Sequence, residues 1–338
     1  MTFAETPIVR LGKNVTGGYD IAVKRDDLLP FSFGGNKVRI ADAFIEDMRK
    51  CGSDALIFYG DRRSNLCRVL ANRCYIERIP ALMIATEEHA PEGGFEPYNS
   101  RLIRSFGIPV IDCEKTAIAD AVDEAFARLK AEGRKPYYIY GDRTGSGNEG
   151  TAASAYAKAY GEITSYEART GETFDLIAVP YGTGATLSGL ICGALAAREE
   201  ASLETVGSKR PACRRIVGLS ISSRTPQRAE SLLKAGIRDW FEREGRLLPE
   251  DWEDAVHLET AYNKGGYGLY DDEVREVIRL MLREEGIPLD PTYTGKAYAG
   301  LLNYLRDSEA AGETFAGKKI LFLHTGGLPL FFDYLTEG

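Results

Sequence analysis

Phe174-Asp175-Leu176-Ile177-Ala178-Val179-Pro180-Tyr181-Gly182-Thr183-Gly184-Ala185-Thr186-Leu187-Ser188-Gly189-Leu190 is the stretch that decides the fold. Its first half is a short apolar run, which reads as a strand buried on both faces. Its second half turns on small residues, and Leu187, Leu190, Ile191 and Ala194 then mark a buried helix face. A strand, a glycine-rich turn and a helix N-terminus bring backbone N–H groups together, which suits a phosphate. The plainer reading is a strand-to-helix connection lined by glycine. The spacing is not a dinucleotide fingerprint, because the third glycine falls at 189 rather than 187. No Gly-Lys-Ser/Thr follows, so it is not a nucleotide P-loop.

The same grammar recurs on both sides of this stretch. Asp54-Ala55-Leu56-Ile57-Phe58-Tyr59-Gly60 reads as a strand leading into Asp61-Arg62-Arg63-Ser64-Asn65-Leu66-Cys67-Arg68. Ser64 fits a helix N-cap, or a hydroxyl presented with an amide at a strand's carboxyl end, where open α/β sheets bind ligands. Ala81–Ala85, Pro109–Asp112, 215–221 and 319–324 read as further strands. Val38, Ala41, Phe44, Ile45 and Met48 recur at helical spacing before Gly52, and 116–130 and 150–163 are alanine-rich and helical. The alternation predicts an α/β fold with twisted, mostly parallel sheets covered by helices. Segments 87–100 and 200–214 read as loops, and Ser223–Leu258 as a charged, solvated helical stretch.

Phe33-Gly34-Gly35-Asn36-Lys37-Val38-Arg39 places a lysine between a glycine pair and an amphipathic helix. The positive end of the helix dipole and partial desolvation both favour the neutral amine. A neutral amine can condense with an aldehyde cofactor. A solvated lysine after an ordinary turn is the alternative. Near the C-terminus, Leu289-Asp290-Pro291-Thr292-Tyr293-Thr294-Gly295-Lys296-Ala297 and Ile320-Leu321-Phe322-Leu323-His324-Thr325-Gly326-Gly327 complete the set. His324 reads as a satisfied polar residue at a strand end.

Composition narrows the classes. The chain has 338 residues, room for two domains, with 44% hydrophobic and 27% charged residues. A net charge of −8 argues against nucleic acid as a partner. There is no run of membrane-span length, and Met1-Thr2-Phe3-Ala4-Glu5 lacks the start of a signal peptide. Six cysteines, at 51, 67, 74, 113, 192 and 213, form no C-x-x-C pair and read as reduced thiols of a cytoplasmic protein. Histidines at 89, 257 and 324 give no metal-ligand spacing, so no metal is expected.

These segments in this order resemble the tryptophan-synthase-β-like (fold type II) enzymes that use pyridoxal 5'-phosphate. The resemblance is strongest to the branch of D-cysteine desulfhydrase and 1-aminocyclopropane-1-carboxylate deaminase. It rests on Lys24-Arg25-Asp26-Asp27, Gly34 to Arg39, Ser64-Asn65, Gly266-Tyr267-Gly268, Asp290 to Lys296 and His324 to Gly327, and so spans nearly the whole chain. It implies a large cofactor-binding domain over 1–47 and 164–338, with a small α/β domain inserted over 48–163 and the cofactor between them. It implies that Lys37 carries the cofactor and then moves the substrate's α-proton. It places Asn65 on the cofactor's phenolic oxygen and the phosphate on Gly182, Thr183, Gly184, Ala185 and Thr186. Thr294 and Thr325 become further cofactor contacts, and Ser64, Tyr267 and Tyr293 face the substrate. The expected partner is a small amino acid, and the expected assembly a homodimer.

Two departures bear on substrate. The family writes Ser-Asn-His where this chain has Leu66, and Gly-Gly-Thr-His where it has Ala185-Thr186-Leu187. The residue after Tyr293 also differs within the branch: ring-opening deaminases carry a carboxylate there, desulfhydrases a threonine. Thr294 cannot hold a proton on the cofactor's ring nitrogen, which makes the ring a shallower electron sink. The expectation is therefore β-elimination from a small amino acid, giving a 2-oxo acid and ammonia, with D-cysteine the leading substrate. Sulfonated or chlorinated three-carbon amino acids, ring-opening deamination, and a cofactor-binding homologue without turnover are the alternatives.

Overall fold

The computed structural model describes residues 4–86, 96–204 and 214–336. Two sheets organise them. The first has the order β1 (Ile8–Arg10), β2 (Asp20–Arg25), β10 (Lys319–His324), β7 (Leu176–Tyr181), β8 (Arg215–Ser220) and β9 (His257–Glu259). The second has the order β5 (Val110–Cys113), β4 (Ala81–Thr86), β3 (Ala55–Tyr59) and β6 (Pro136–Tyr138). β1 runs antiparallel to β2, and every other described pairing is parallel.

Parallel neighbours need crossover connections, and helices supply them. The α-helices are α1 (Lys13–Thr16), which joins the antiparallel β1 and β2, α2 (Asn36–Lys50), α3 (Asn65–Glu77), α4 (Tyr98–Ser105), α5 (Ile118–Ala131), α6 (Glu149–Thr170), α7 (Ala185–Glu204), α8 (Pro226–Arg243), α9 (Asp272–Glu285), α10 (Thr294–Ala310) and α11 (Leu328–Leu335), which follows β10. β7 shows why its sequence is apolar throughout. Ile177 and Val179 enter the core beneath α2, α6, α7 and α8, while Leu176 and Ala178 enter the core beneath α9 and α10. In β3, Ala55 and Ile57 pack with α5, while Leu56 and Phe58 join the core shared with the first sheet. One continuous apolar core therefore runs from one sheet to the other.

The structure departs from the sequence expectations at identifiable places. The boundary expected at residue 163 falls inside α6, which runs unbroken to Thr170 and packs on α7 and α8 beside the first sheet. The reason is a glycine-lined contact. A Cβ at Gly189 or Gly193 would come within 2.6 Å of the Cβ of Tyr156 or Tyr160. The glycine at 189 thus serves helix packing rather than the anion turn. The expected loop over 87–100 gives way to α4 from Tyr98, while α7 enters the expected loop over 200–214; residues 87–95 and 205–213, with His89 and Cys213, lie outside the described residues. No strand was expected at β1, β2, β6 or β9, which are short or carry charged residues. β2 holds Lys24 wholly buried because its Nζ donates to Thr6 Oγ1 at 2.7 Å and to Glu162 Oε2 at 2.6 Å.

Among the described residues no helix is long and apolar enough to cross a membrane, and no group of acidic, histidine or cysteine side chains could hold a metal ion. The described cysteines are all free thiols.

Candidate active site

The carboxyl ends of β7, β8 and β10 face the start of α3 across a cavity of about 310 Å³. Lys37 lines it from the first turn of α2. Two touching glycine turns put it there. Gly34 and Gly35 have φ of 67° and 93°, and a Cβ on Gly35 would lie 2.9 Å from the Thr325 carbonyl oxygen. A Cβ on Gly326 would lie 2.5 Å from Gly35 Cα, so neither turn admits a side chain. The Asn36 N–H closes the contact by donating to Thr325 O at 3.0 Å.

A buried ion network braces this turn from behind. Asp26 accepts from Arg39 Nε at 3.0 Å, Thr6 Oγ1 at 2.6 Å and Tyr156 Oη at 2.6 Å, while Arg39 Nη1 reaches Glu162 Oε1 at 2.6 Å. Burial alone raises a carboxyl, but Arg39 and Lys24 together hold Asp26 below the ordinary range. The Lys24-to-Asp27 run is therefore scaffold for Lys37.

Protein surrounds most of the Lys37 side chain and leaves the rest open to the cavity. That desolvation lowers the ammonium from 10.5 to about 8, with no acid nearby to oppose it. Lys296 is also lowered to about 8 by burial, but it does not line the cavity. Its Nζ donates to the carbonyl oxygens of Ile221, at 3.2 Å, and Gly266, at 2.5 Å. Among the described residues, Lys37 is the one lysine that lines the cavity. The neutral amine is the attacking form, so capture of the cofactor by the apoprotein should accelerate about tenfold per pH unit up to pH about 8 and level off above it. Stopped-flow mixing with pyridoxal phosphate checks this. A pH-independent rate would assign the attack to another group.

The glycine-rich turn before α7 forms another part of the wall, with the geometry of an anion cradle. Gly182, Thr183, Gly184, Ala185 and Thr186 line the cavity, and α7 starts at Ala185. The first N–H groups of a helix have no intrahelical partner, so they point at whatever sits before Ala185. Gly184 has φ of 104°, and a Cβ there would meet the Tyr181 ring at 3.4 Å. Asn36 Nδ2 donates to Thr186 Oγ1 at 2.9 Å and so ties the lysine turn to the cradle. Arg224 stands at the same wall and donates to Gly182 O at 2.5 Å. The sequence reading missed both, although Asn36 sat inside its quoted motif.

Ser64 caps α3 and accepts from Cys67 N–H at 3.2 Å; its own hydroxyl hydrogen remains for the cavity. Cys67 is buried, and burial pushes its thiol up to about 12, which leaves it a packing residue. Asn65, Leu66 and Leu187 also line the cavity. Tyr267 Oη and Tyr293 Oη lie 3.0 Å apart with their rings edge to face. Burial, then the Tyr267 hydroxyl, push Tyr293 well above 10, so it remains a neutral phenol able to donate a proton. Thr325 lines the cavity beside Gly326. His324 does not: its Nε2–H donates to Pro288 O at 2.8 Å and its Nδ1 accepts from Gly326 N–H at 3.1 Å.

Thr294 corrects an expectation. It is wholly buried and is not a lining residue. Its Oγ1 donates to Asp290 Oδ2 at 2.8 Å and accepts from Asp290 N–H at 2.9 Å. Asp290 also accepts the N–H groups of Thr292, Tyr293 and Thr294, which caps the start of α10. The hydroxyl is engaged by that cap rather than aimed at a ring nitrogen.

A lysine amine and a helix-start anion cradle in one cavity fit a cofactor that carries an aldehyde and a phosphate. Residues 1–326 match the family described as pyridoxal-phosphate dependent enzyme. The chain belongs to that family. A Pyrococcus horikoshii protein provisionally named 1-aminocyclopropane-1-carboxylate deaminase is 32% identical over 341 residues, covering 98% of this chain and 91% of its own. The 1-aminocyclopropane-1-carboxylate deaminase of Burkholderia lata is 30% identical over 345 residues, covering 99% and 95%. Among solved structures, an "ACC deaminase homologue" superposes with a TM-score of 0.80 at 30% identity, covering 99% of this chain and 93% of that one. This pyridoxal-phosphate dependent enzyme therefore has the fold type II architecture. Lys37 and residues 182–186 line the same cavity of this enzyme.

Proposed function

We propose that this enzyme eliminates a β-substituent from a small amino acid, with D-cysteine preferred over 1-aminocyclopropane-1-carboxylate. With water as co-substrate, the products are a 2-oxo acid, ammonia and the leaving group. The bound cofactor supplies an electron sink for the pair left on the substrate's α-carbon. The observation that carries the reading is the cavity's lining: among its described residues there is no aspartate or glutamate. No side chain there can keep the ring nitrogen protonated, so the site suits a substrate whose leaving group departs promptly from the neighbouring carbon. This argument replaces the one from Thr294, which faces Asp290 instead.

The residues divide the work. The Lys37 amine takes the α-proton. Ser64, at the N-terminus of α3, presents a hydroxyl donor to the substrate. The Tyr267 and Tyr293 hydroxyls, 3.0 Å apart, offer a hydrogen-bond donor to a departing anion. A second reading, ring-opening deamination of the cyclopropane substrate, is favoured by the names of the relatives at 30% and 32% identity.

Measurement of kcat/KM for both compounds on the same preparation decides between them. The expected result is a preference for D-cysteine of roughly tenfold or more, about 1.4 kcal/mol of transition-state discrimination. A preference for the cyclopropane substrate overturns the elimination reading.

A further inference from the structure

We propose that Asn99, on α4, and Arg68, on α3, are positioning residues that decide which end of the Asn65 amide faces the cavity. The inference rests on the reading that Asn65 meets the cofactor's phenolic oxygen.

Asn99 is wholly buried. Its Nδ2 donates to Arg63 O at 2.6 Å and to Asn65 Oδ1 at 3.0 Å. The Arg63 carbonyl can only accept, so it fixes the NH₂ end of Asn99 on this side. The second hydrogen of that NH₂ then requires an acceptor from Asn65. Arg68 Nη2 approaches the same Asn65 Oδ1 at 3.4 Å. With Oδ1 held by two donors, the NH₂ group of Asn65 is the end left for the cavity. That group can donate to an anionic oxygen, whereas the flipped amide would repel one.

Arg68 adds a field to this geometry. Its side chain is buried, its Nε has no hydrogen-bond partner, and no carboxylate pairs with it among the described residues. Burial lowers it to about 10, which still leaves a cation at neutral pH. Nη1 donates to Ser32 Oγ at 2.9 Å, and the guanidinium sits 5.7 Å over the Phe33 ring. Ser32 and Phe33 have φ of 44° and 62° and lead directly into Gly34 and Gly35. One buried cation therefore joins the turn that carries Lys37 to the amide of Asn65. Its charge polarises that amide toward an anion in the cavity.

A double-mutant cycle tests this, read as the affinity of apoprotein for pyridoxal phosphate, with thermal melting as a control for folding. Asn65→Ala should weaken binding about tenfold, the scale of a hydrogen bond to a charged group. Asn99→Leu should weaken it several-fold, and the double variant should match Asn65→Ala alone, because Asn99 has nothing left to orient. Asn99→Asp keeps the size but sets an acceptor against Asn65 Oδ1, so it should weaken binding more than Asn99→Leu. Arg68→Met should cost less in the Asn65→Ala background than in the wild type, because the part of its effect that passes through Asn65 is already lost. Additive losses overturn the inference alone. Unchanged affinity in Asn65→Ala overturns it while leaving the cofactor reading intact. Wild-type protein that takes up no pyridoxal phosphate overturns both.

Discussion

Lys37→Ala is expected to abolish covalent capture of pyridoxal phosphate and to lower turnover by roughly 10³-fold or more, because the variant loses both its covalent anchor and its base. The expectation rests on placement as much as chemistry. Two lysines are lowered to about 8, but Lys37 opens into the cavity whereas Lys296 spends its hydrogens on two carbonyl oxygens. The anion cradle stays intact in the variant, so non-covalent cofactor binding should persist. Borohydride reduction of the wild-type enzyme, followed by peptide mapping, should place the pyridoxyl group on Lys37. A label on Lys296, or a Lys37→Ala variant with full activity, would refute the assignment.

Gly184→Asp should all but eliminate cofactor binding. At ~4 Å and an effective dielectric of about 20, a new carboxylate repels a unit negative charge by about 4 kcal/mol, or roughly a thousandfold in affinity. Strain adds to this, since Gly184 has φ of 104° and a Cβ would touch the Tyr181 ring. Gly184→Ala separates the two terms, because it brings the strain without the charge, and its loss should be far smaller. Equilibrium titration of both apoproteins with pyridoxal phosphate gives the comparison. Equal losses would mean that no anion sits at the start of α7.

The two expectations share a structural basis. Lys37 and the cradle belong to segments about 145 residues apart, yet Asn36 Nδ2 bonds Thr186 Oγ1 directly at 2.9 Å. A side-chain hydrogen bond thus joins the residue before Lys37 to the start of α7. Substitutions at Gly35 or Gly326 should displace the turn that carries Lys37, because their backbones pack against each other.

Much of this was legible in the chain itself. A strand followed by a glycine turn and a helix is local information, carried by apolar runs and by backbone conformations that only glycine adopts without strain. Thus β7, β3, β4, β5, β8 and β10 could be read directly, as could the amphipathic face of α2. The lysine between a glycine pair and a helix, and the glycine-rich strand-to-helix turn, could also be picked out as candidates from the residues themselves, whereas the two tyrosines entered through the family resemblance. Tertiary structure alone decided the rest. It buried Lys24 by pairing it with Glu162, 138 residues away, and so made a strand of a charged segment. It attached α6 to α7 through glycine contacts invisible to periodicity. It turned Thr294 toward Asp290 and brought Asn99 onto Asn65, 34 residues back along the chain. Propensity and periodicity describe what a segment prefers over a few residues. Which hydrogen bond a buried hydroxyl or amide makes is set by the partners that the packed fold leaves within reach, because a buried polar group must be satisfied where it stands.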